Sequence, residues 1–366
     1  MLSRPILTAA LCVALIAALA GCSPGSTAQS PSPTVTGDPT IPLADLDFLA
    51  DPHSYVGEST AILADDAIPV PDAAPPQQLP VTVTSHDLSG DTEVTVKSTE
   101  RILTMDISGS IAATVFGLGL GDNVVGRDIS STFAQAADLP VITSSGHTVN
   151  SESILALRPT VLITDGSIGP IDVVLQLREA GIPVVFVDTE PSIDGVGELA
   201  RQVAAALGAP EAGEVLAASL VSGINDTVAQ IASIAPSGDP LRMMFLYLRG
   251  GSGIYYLFGS ESGADILIDA LGGVDVAAEI GLDGMRPMTD EAMVAANPDL
   301  ILVMTDGIDS AGGVDGLLEA KPAIALTTAG QNRRFVDMAD GEILSFGPRT
   351  AEVLDALARA VYAPGK

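Results

Sequence analysis

Residues 152–166 read ESILALRPTVLITDG, and residues 291–307 read EAMVAANPDLILVMTDG. In both stretches a glutamate begins a short helical segment, a proline follows seven residues later, and an apolar run ends in Thr-Asp-Gly. The second apolar run is two residues longer than the first. A helix that ends before a proline and leads into a short apolar strand is a unit of α/β folds. Two copies of this unit predict two similar α/β lobes.

The rest of the chain repeats this alternation of short apolar strands and helices. Residues 102–107 and 184–187 are predicted strands of the first lobe, and residues 242–248 are a predicted strand of the second. Ser108 is expected to cap a helix that follows the first of these strands. Strands that alternate with helices predict a largely parallel sheet in each lobe.

Residues 193–234 interrupt the pattern. They contain no strand-like run, and apolar residues recur at helical spacing, which predicts one or two helices with a long one over about residues 211–234. The predicted fold is therefore α/β, with two Rossmann-like lobes joined by a long backbone helix. Ligands favour the cleft that such an arrangement leaves between its lobes.

The first 22 residues have the features of an export signal. A short basic start is followed by an apolar run from Ile6 to Ala20, and the run closes in Leu-Ala-Gly-Cys at residues 19–22. This ending is similar to a bacterial lipobox, in which Cys22 becomes the lipidated first residue of the mature protein; the alternative is a plain signal peptide with a chance cysteine. Both cysteines of the chain lie in this stretch, which excludes a disulfide framework or a cysteine zinc site in the lobes.

A segment poor in apolar residues separates the signal from the first lobe. It is rich in Pro, Ser, Thr, Ala and Asp, a composition that buries too little apolar surface to offset the entropy lost on ordering. We therefore expect a flexible acidic tether, with a small hairpin at residues 80–97, and we interpret His53 and His86 within it as incidental. The expected division is a signal peptide at 1–21, a tether at 22–97, an N-terminal lobe at 98–192, a bridging helix at 193–235 and a C-terminal lobe at 236–366.

Charge and missing motifs exclude several classes of function. The chain has 16 Lys and Arg against 46 Asp and Glu, a formal net charge of -30. Such a surface repels phosphates, so we expect no nucleic acid partner. The sequence contains no GxxxxGK[ST] or HExxH motif, and no Ser-His-Asp or paired-carboxylate arrangement stands out. We therefore do not expect an enzyme.

Several segments together resemble one known family. Residues 117–126 (GLGLGDNVVG), the first glutamate unit and residues 286–302 (RPMTDEAMVAANPDLIL) resemble the helical-backbone, or class III, substrate-binding proteins of ABC importers for haem, iron-siderophores and cobalamin. The resemblance spans about residues 100–363, and at the candidate site it is to the haemin-binding lipoproteins of corynebacteria and their relatives. It implies a monomeric, lipid-anchored receptor on the extracellular face of the cytoplasmic membrane. Such a receptor takes up haem, free or from haem-carrying proteins, and delivers it to an importer permease and its ATPase.

The resemblance implies that His147 is an axial ligand of haem iron. His147 lies in the polar stretch Ser-Ser-Gly-His-Thr-Val at residues 144–149, just ahead of the helix that begins at Glu152. Turns at the carboxyl ends of strands are where α/β lobes hold ligands. The alternative interpretation is an ordinary surface histidine in a loop.

The resemblance implies that Tyr247 is the second axial ligand and Arg249 its hydrogen-bonding partner. Tyr247 and Arg249 are two residues apart on a predicted strand, so both side chains leave the same face of the sheet. A phenol with a pKa near 10 is a weak ligand until it loses its proton. A nearby guanidinium, or a ferric ion, favours the phenolate. The alternative is a strand tyrosine beside an ordinary solvated arginine.

Other residues are weaker candidates for contacts to haem. Thioethers prefer softer metals than ferric iron, so methionines near the site are expected to pack on the porphyrin or to belong to the core. An arginine could pair with a propionate, and one of two adjacent tyrosines could line the cleft. These supporting candidates are Met285, Arg286, Met288, Tyr255 and Tyr256.

Glu152 and Glu291 occupy matching places at the start of a helix in each lobe. An acidic residue in the first turn is favoured by the helix dipole, which is the simplest explanation. The resemblance implies a second role, in which these glutamates project from the two lobes and meet arginines on the permease. Pairs of this kind at a rim mainly set orientation and association rate.

Two alternative functions stay open at this stage. A ferric siderophore or cobalamin binder would share the fold. Such binders often use aromatic side chains in the cleft, so the absence of tryptophan from this chain slightly disfavours that function. A haem-modifying surface enzyme would need a catalytic arrangement that the sequence does not display. Haem binding without catalysis is the favoured interpretation.

Overall fold

The computed structural model describes residues 34–35, 39–144, 147–236 and 238–365. Cys22 and the expected signal peptide lie outside these residues. Within them the strands are β1 (Thr34–Val35), β2 (Ser59–Thr60), β3 (Val81–Ser85), β4 (Thr92–Val96), β5 (Ile102–Met105), β6 (Val124–Gly126), β7 (Thr143–Ser144), β8 (Thr148–Val149), β9 (Val161–Thr164), β10 (Val184–Phe186), β11 (Arg242–Arg249), β12 (Ile254–Phe258), β13 (Val274–Asp275), β14 (Met285–Pro287), β15 (Leu300–Met304) and β16 (Phe335–Met338). The helices are α1 (Ser110–Gly117), α2 (Ser151–Leu157), α3 (Ile171–Glu179), α4 (Ile193–Ala206), α5 (Pro210–Ile234), α6 (Ala264–Ala270), α7 (Val276–Glu279), α8 (Asp290–Ala296), α9 (Thr305–Ser310), α10 (Gly313–Ala320), α11 (Pro322–Ala325), α12 (Thr328–Gln331) and α13 (Thr350–Tyr362).

The N-terminal lobe is built on a parallel sheet in the order β10-β9-β5-β6. Every residue of β5 and β9 is buried, as expected for parallel strands that are covered by helices on both faces. Ile111 of α1 and Val203 of α4 pack on one face. Ile154 of α2 and Val174 of α3 pack on the other. The prediction of a parallel α/β lobe is confirmed.

The C-terminal lobe has a larger, mixed sheet in the order β1-β2-β16-β15-β11-β12-β14, with β13 beside β11. Its centre is parallel, because β11, β15, β16 and β2 run in the same direction. β12 runs antiparallel to β11, and β14 antiparallel to β12. Helices α5, α6 and α13 contribute to the core on one face, and α8, α10 and α11 to the core on the other.

Two helices rather than one connect the lobes. α4 ends at Ala206, and α5 begins at Pro210, a residue whose fixed φ suits the first turn of a helix. α5 is 25 residues long and packs along α4 and α13. By length and composition alone α5 could also cross a membrane. The predicted helix over residues 211–234 is confirmed.

The expected flexible tether over residues 22–97 is wrong for residues 39–97. Leu43, Ala61 and Leu63 are buried in the core of the C-terminal lobe, and β2 extends its sheet beside β16. The predicted hairpin exists as β3 and β4, and its Val96 is buried in the N-terminal lobe. Average composition misled the prediction, because a few apolar residues at the right positions are enough to dock a segment that is polar overall.

The same segment forms a second connection between the lobes. Leu63 belongs to the core of the C-terminal lobe, whereas Ile68 belongs to that of the N-terminal lobe. The backbone N–H and C=O of Ile68 both hydrogen-bond to the side-chain amide of Gln135, at 3.0 and 2.7 Å. The chain therefore passes from one lobe to the other over a few residues before it reaches the helical bridge.

His53 and His86, interpreted as incidental, have acidic surroundings. His53 Nε2 lies 3.0 Å from the carbonyl oxygen of Asp239, and this hydrogen bond is the main reason why the pKa of His53 is raised. His86 Nδ1 lies 3.1 Å from Asp91 Oδ1. Within the described part of the chain, no three His, Cys, Asp or Glu side chains converge as metal ligands would.

Candidate functional site

The C-terminal half of the candidate site lies at the carboxyl end of β11. Tyr247 and Arg249 share one face of this strand, as their spacing predicts. The Tyr247 ring stacks on Phe258, with ring centres 6.0 Å apart and planes 19° apart. The guanidinium carbon of Arg249 lies 4.8 Å from the centre of the Tyr247 ring, within range of a cation–π contact. Arg249 therefore contacts the Tyr247 ring, but its side-chain hydrogen bonds go to Leu248 and Asp340 rather than to the Tyr247 hydroxyl as expected.

Asp340 anchors the guanidinium of Arg249. Arg249 Nη2 donates to Asp340 Oδ2 at 2.5 Å, and Nη1 donates to the carbonyl oxygen of Leu248 at 2.9 Å. Asp340 Oδ1 accepts from the backbone N–H of Asp306 at 2.9 Å. Burial raises the pKa of Asp340, and the nearby Arg249 opposes that shift. Sequence reasoning missed Asp340, because it lies 91 residues from Arg249 along the chain.

The supporting candidates divide between the two faces of the C-terminal sheet. In antiparallel pairs, directly opposite residues point to the same face. Tyr256 lies opposite Tyr247, and Met285 lies opposite Phe258, so both share the Tyr247 face. Tyr255 lies opposite Leu248 on the other face, where its ring is 4.2 Å from the amine of Lys321.

Arg286 and Met288 are not on the Tyr247 face. Arg286 lies opposite Leu257, whose side chain belongs to the core on the opposite face from Tyr247. Met288 packs against that same core, and its backbone N–H donates to the carbonyl oxygen of Tyr255. The structure therefore brings Tyr256 and Met285 together with Tyr247 and separates them from Arg286, Met288 and Tyr255.

The N-terminal half of the candidate site is the turn that carries His147. β7 and β8 form a small antiparallel pair around this turn; Ser145 and Gly146 lie outside the described residues. His147 has a φ of 59°, in the left-handed region that few residue types other than glycine occupy. It is half-buried, and its Nδ1 atom is buried without a hydrogen-bond partner among the described residues. The Nδ1 atom of His147 therefore has no acceptor among the described residues, although it is shielded from solvent.

Both ends of this turn are tied to the lobe. Thr143 Oγ1 accepts a hydrogen bond from the backbone N–H of Ile129 at 3.0 Å. Val149 donates its backbone N–H to the carbonyl oxygen of Gly169. Asn150 then caps α2, with its side chain accepting from the N–H of Ser153 at 3.0 Å. The start of α2 thus fixes the end of the turn that carries His147.

The two half-sites border the same contact between the lobes. Segments that follow the carboxyl ends of β5 and β6 meet the segment that follows β16. Ser110 Oγ lies 3.3 Å from Ser345 Oγ, and a Cβ at Gly341 would lie 3.0 Å from the carbonyl oxygen of Ser130. Gly341 follows Asp340, the partner of Arg249, whereas Ser130 follows Ile129, which is hydrogen-bonded to the His147 turn. The segments that follow the carboxyl ends of the two sheets are therefore in contact, and each half-site is linked to one of these segments.

Two exposed isoleucines mark the edge of the N-terminal sheet. Ile107 and Ile129 follow β5 and β6 closely and are 54% and 44% exposed. The prediction that residues 102–107 form a buried strand is wrong at its end, because β5 stops at Met105 and the chain turns there. The sequence does contain a sign that Ile107 lies outside the strand. It follows Asp106, and an aspartate at the end of a buried strand often begins a turn.

A buried pair of carboxylates, Asp106 and Asp128, directly precedes these two isoleucines in the sequence. Asp128 Oδ2 accepts the backbone N–H of Asp106 at 3.1 Å, and Asp106 Oδ2 accepts the backbone N–H of Ser110 at 2.8 Å. Asp106 rather than Ser108 therefore caps α1, which corrects the sequence prediction; Ser108 donates its hydroxyl to Asp106. Burial, reinforced by the charge of Asp128, raises the pKa of Asp106 well above its usual range, and burial also raises the pKa of Asp128.

Comparison with known families identifies the fold. The model of the periplasmic binding protein family matches residues 107–340 of this chain. The chain belongs to this family.

Two solved structures and one curated relative resemble most of the chain. The heme binding protein HmuT is 42% identical, with a TM-score of 0.80 over 86% of this chain and 100% of that one. The periplasmic heme-binding protein RhuT from Roseiflexus sp. RS-1 is 36% identical, with a TM-score of 0.66 over 74% of this chain and 100% of that one. An ABC transporter substrate-binding lipoprotein of Bacillus subtilis (strain 168), YvrC, is 27% identical over 288 residues, which make up 77% of this chain and 86% of that protein.

Solved structures of HmuT include three variants that bear on the candidate site. In them a histidine, a tyrosine and an arginine are each replaced by alanine. The arginine lies two positions after the tyrosine, and the histidine lies 99 positions before it. Here Arg249 lies two positions after Tyr247, and His147 lies 100 positions before it.

The two glutamates of this periplasmic binding protein occupy equivalent places. Glu152 lies in the first turn of α2, and Glu291 lies in that of α8; both helices have seven residues, and both glutamates are exposed. Asn150 caps the first helix and Thr289 the second. The duplicated sequence unit is therefore a duplicated local structure.

Proposed function

We propose that the chain binds ferric haem between its lobes and delivers it to an ABC importer. His147 and Tyr247 are the proposed axial ligands, one from each lobe. The observation that carries the proposal is that Gly341, next to the Arg249 partner Asp340, approaches Ser130, next to Ile129, which donates to Thr143 of the His147 turn. In HmuT the replaced tyrosine and arginine have the same spacing as here and the histidine differs by one position, which supports the same assignment.

The Tyr247 side of the site suits ferric iron. Phenolate oxygen is a hard donor, and a ferric ion favours such donors. The guanidinium carbon of Arg249 lies 4.8 Å from the centre of the Tyr247 ring and contacts the face of the proposed ligand. His147 supplies an imidazole whose Nδ1 has no acceptor among the described residues. Together they provide two donors of different chemistry for one iron.

The surroundings of the two ligands provide apolar surface for a porphyrin. Ile107 and Ile129 are exposed at the edge of the N-terminal sheet, and Tyr256 and Met285 lie on the Tyr247 face of the C-terminal sheet. Ligand sites in proteins are mainly apolar, with a few polar groups that fix orientation. We propose that these four residues contact the porphyrin. Arg286, Met288 and Tyr255 are weaker candidates, because they lie on the other face.

The remaining parts of the proposal concern delivery. Glu152 and Glu291 would meet basic residues of a permease, whose ATPase supplies the energy, and their exposure at the start of matching helices supports this role. Lipidation of Cys22 would anchor the protein to the extracellular face of the cytoplasmic membrane. The similarity to a substrate-binding lipoprotein supports that location. We propose that the protein, as a monomer, binds haem without chemical turnover and takes it up free or from haem-carrying proteins.

A haemin titration of the purified protein tests the proposal. We expect a Soret band from a one-to-one complex, and loss of that complex in the double variant His147→Ala, Tyr247→Ala. The matched control is His86→Ala, Tyr55→Phe, which changes the same residue types away from the two half-sites and should bind like wild type. Unchanged haemin binding by the first variant would overturn the site. Binding of a ferric siderophore or cobalamin instead of haemin would overturn the cargo, and loss of the Soret band under a reductant would indicate turnover.

A further inference from the structure

Asp340 is a half-buried acidic residue whose ion pair with Arg249 connects it to the proposed haem site. It follows β16, whereas Arg249 ends β11, and β15 lies between these two strands. The ion pair therefore reaches across one strand at the carboxyl edge of the sheet. Both side chains are partly shielded, with side-chain exposures of 32% for Arg249 and 21% for Asp340.

Asp340 is itself held in place. Its Oδ1 accepts the backbone N–H of Asp306, which follows β15 and lies in the first turn of α9. A carboxylate that is fixed by a backbone donor has little freedom to follow the arginine. The long side chain of Arg249, in contrast, has several rotatable bonds and would sample many rotamers at the rim of the cleft without a fixed acceptor.

The two acceptors of Arg249 determine where its guanidinium lies. Leu248 O and Asp340 Oδ2 each take one donor, and with these bonds made the guanidinium carbon lies over the Tyr247 ring. Leu248 is adjacent in sequence, so its carbonyl is available in many orientations of the arginine. Only the bond to Asp340 comes from a distant part of the fold, and it selects one orientation.

We propose that Asp340 is a positioning residue that holds Arg249 against Tyr247. The inference rests on the proposed function, because it assigns Asp340 a role in the tyrosine ligation of haem. In this role Asp340 acts through the arginine and is assigned no contact of its own with haem. Its negative charge also neutralises Arg249 in part, so the benefit is orientation of the guanidinium rather than added positive charge.

Asp340→Asn is the sharpest variant for a test. The side-chain amide of asparagine has one oxygen, which can accept from Asp306 or from Arg249, and its NH₂ group can only donate. One of the two hydrogen bonds must therefore be lost with little change in shape. Loss of an outer partner of a metal ligand typically lowers affinity by about 10-fold to 100-fold, and we expect a loss of haemin affinity in this range.

A double-mutant cycle with Arg249→Ala separates positioning from general damage. If Asp340 acts through Arg249, Asp340→Asn lowers haemin affinity in the wild-type background and changes it little when Arg249 is already alanine. We also expect Asp340→Asn and Arg249→Ala to shift the iron–phenolate band in resonance Raman spectra in the same direction. Asp309→Asn, on the exposed side of α9, is the control for loss of one negative charge and should behave like wild type in both measurements.

The outcomes distinguish this inference from the proposed function. If wild type gives no haemin complex, the proposed function fails first. If wild type binds haemin but Asp340→Asn has the affinity and the Raman band of wild type, the positioning role is overturned alone. Equal effects of Asp340→Asn with and without Arg249 also overturn it, because they indicate a structural role independent of the arginine. Asp340→Ala, checked for folding by urea unfolding, repeats the cycle if the asparagine variant is unstable.

Discussion

The carboxyl edges of the two sheets occupy equivalent positions but are built differently. On the C-terminal edge, Tyr247 projects from an eight-residue strand, and Arg249 is ion-paired with Asp340. On the N-terminal edge, His147 lies in a turn at positive φ, and the carboxylates of Asp106 and Asp128 have no basic partner among the described residues. The C-terminal edge thus carries its proposed ligand on a strand and has its charges paired. The N-terminal edge carries its proposed ligand in a short turn at positive φ and has buried carboxylates without a basic partner among the described residues.

This difference predicts how the two proposed ligands share the binding energy. A side chain that is already fixed loses little entropy when it binds, whereas ordering a mobile one costs about 0.5–1.5 kcal/mol. Tyr247 is restrained by its strand, by Phe258 and by Arg249. The fixed points around His147 are in the hairpin and at Asn150 rather than on the imidazole. We therefore expect the strand-borne half-site to dominate affinity.

The largest expected effect comes from removing single ligands. Tyr247→Phe should weaken haemin binding by more than about 100-fold, the upper end for loss of an outer partner of a metal ligand. His147→Ala should weaken haemin binding less, by a factor of between about 2 and 10. The lost bond to iron is partly offset, because the variant no longer has to order a mobile side chain when haem binds. Competition titrations against a haem-binding protein of known affinity measure both values. A larger loss in His147→Ala than in Tyr247→Phe would reverse the comparison.

The sequence predicted the strand-borne half-site better than the turn-borne one. The spacing of Tyr247 and Arg249 is enough to place both on one face, because the period of a strand is fixed. The sequence did not predict Asp340, since its contact with Arg249 depends on the order of β11, β15 and β16 in the sheet. Neither did it predict which of Tyr255 and Tyr256 shares the Tyr247 face, because that depends on the register of β12.

The N-terminal segment shows where composition fails as a guide. Residues 39–97 have the polar composition of a linker, yet Leu43, Leu63, Ile68 and Val96 are each buried in one of the lobe cores. Docking depends on where these few side chains lie relative to surfaces that are formed elsewhere in the chain. Such surfaces are created by tertiary structure and leave no local pattern in the segment itself.

The second expected effect, intermediate in size, is a dependence of stability on pH that arises from the two buried carboxyl groups of the N-terminal edge. The pKa values of Asp106 and Asp128 are raised in the folded protein, whereas an unfolded aspartate has a pKa of about 3.9. At pH values between the unfolded and folded pKa, the folded state binds more protons, so the free energy of unfolding falls as pH rises. The stabilisation from these two protonated groups is complete below the unfolded pKa and is lost as pH rises through the folded pKa.

Asp106→Asn should flatten this dependence. Urea unfolding at a series of pH values from about 4 to 8 gives the slope for wild type and variant. The variant removes one of the two neighbouring carboxyl groups, so its free energy of unfolding should fall less steeply than that of wild type. Asp309→Asn, an exposed change of the same kind, is the control for the other titrating groups. Parallel curves for wild type and Asp106→Asn would show that the buried pair does not set the slope, and the contrast between the two edges would lose its electrostatic part.

The smallest expected effect concerns the helix caps that the duplicated units share. Asn150 caps α2 and Thr289 caps α8, each with one side-chain oxygen accepting a backbone N–H, at 3.0 and 3.1 Å. Replacing either by alanine should lower the free energy of unfolding by about 1 kcal/mol, as measured by urea unfolding.

Only Asn150→Ala should also weaken haemin binding, because the Asn150 cap fixes the end of the turn that carries His147. The binding loss should be about fivefold or less, since the freed turn must be ordered again when haem binds. Equal haemin affinities for Asn150→Ala and Thr289→Ala would mean that the turn is held by Thr143 and Val149 alone, and that the N-terminal half-site is more rigid than its position on a turn suggests.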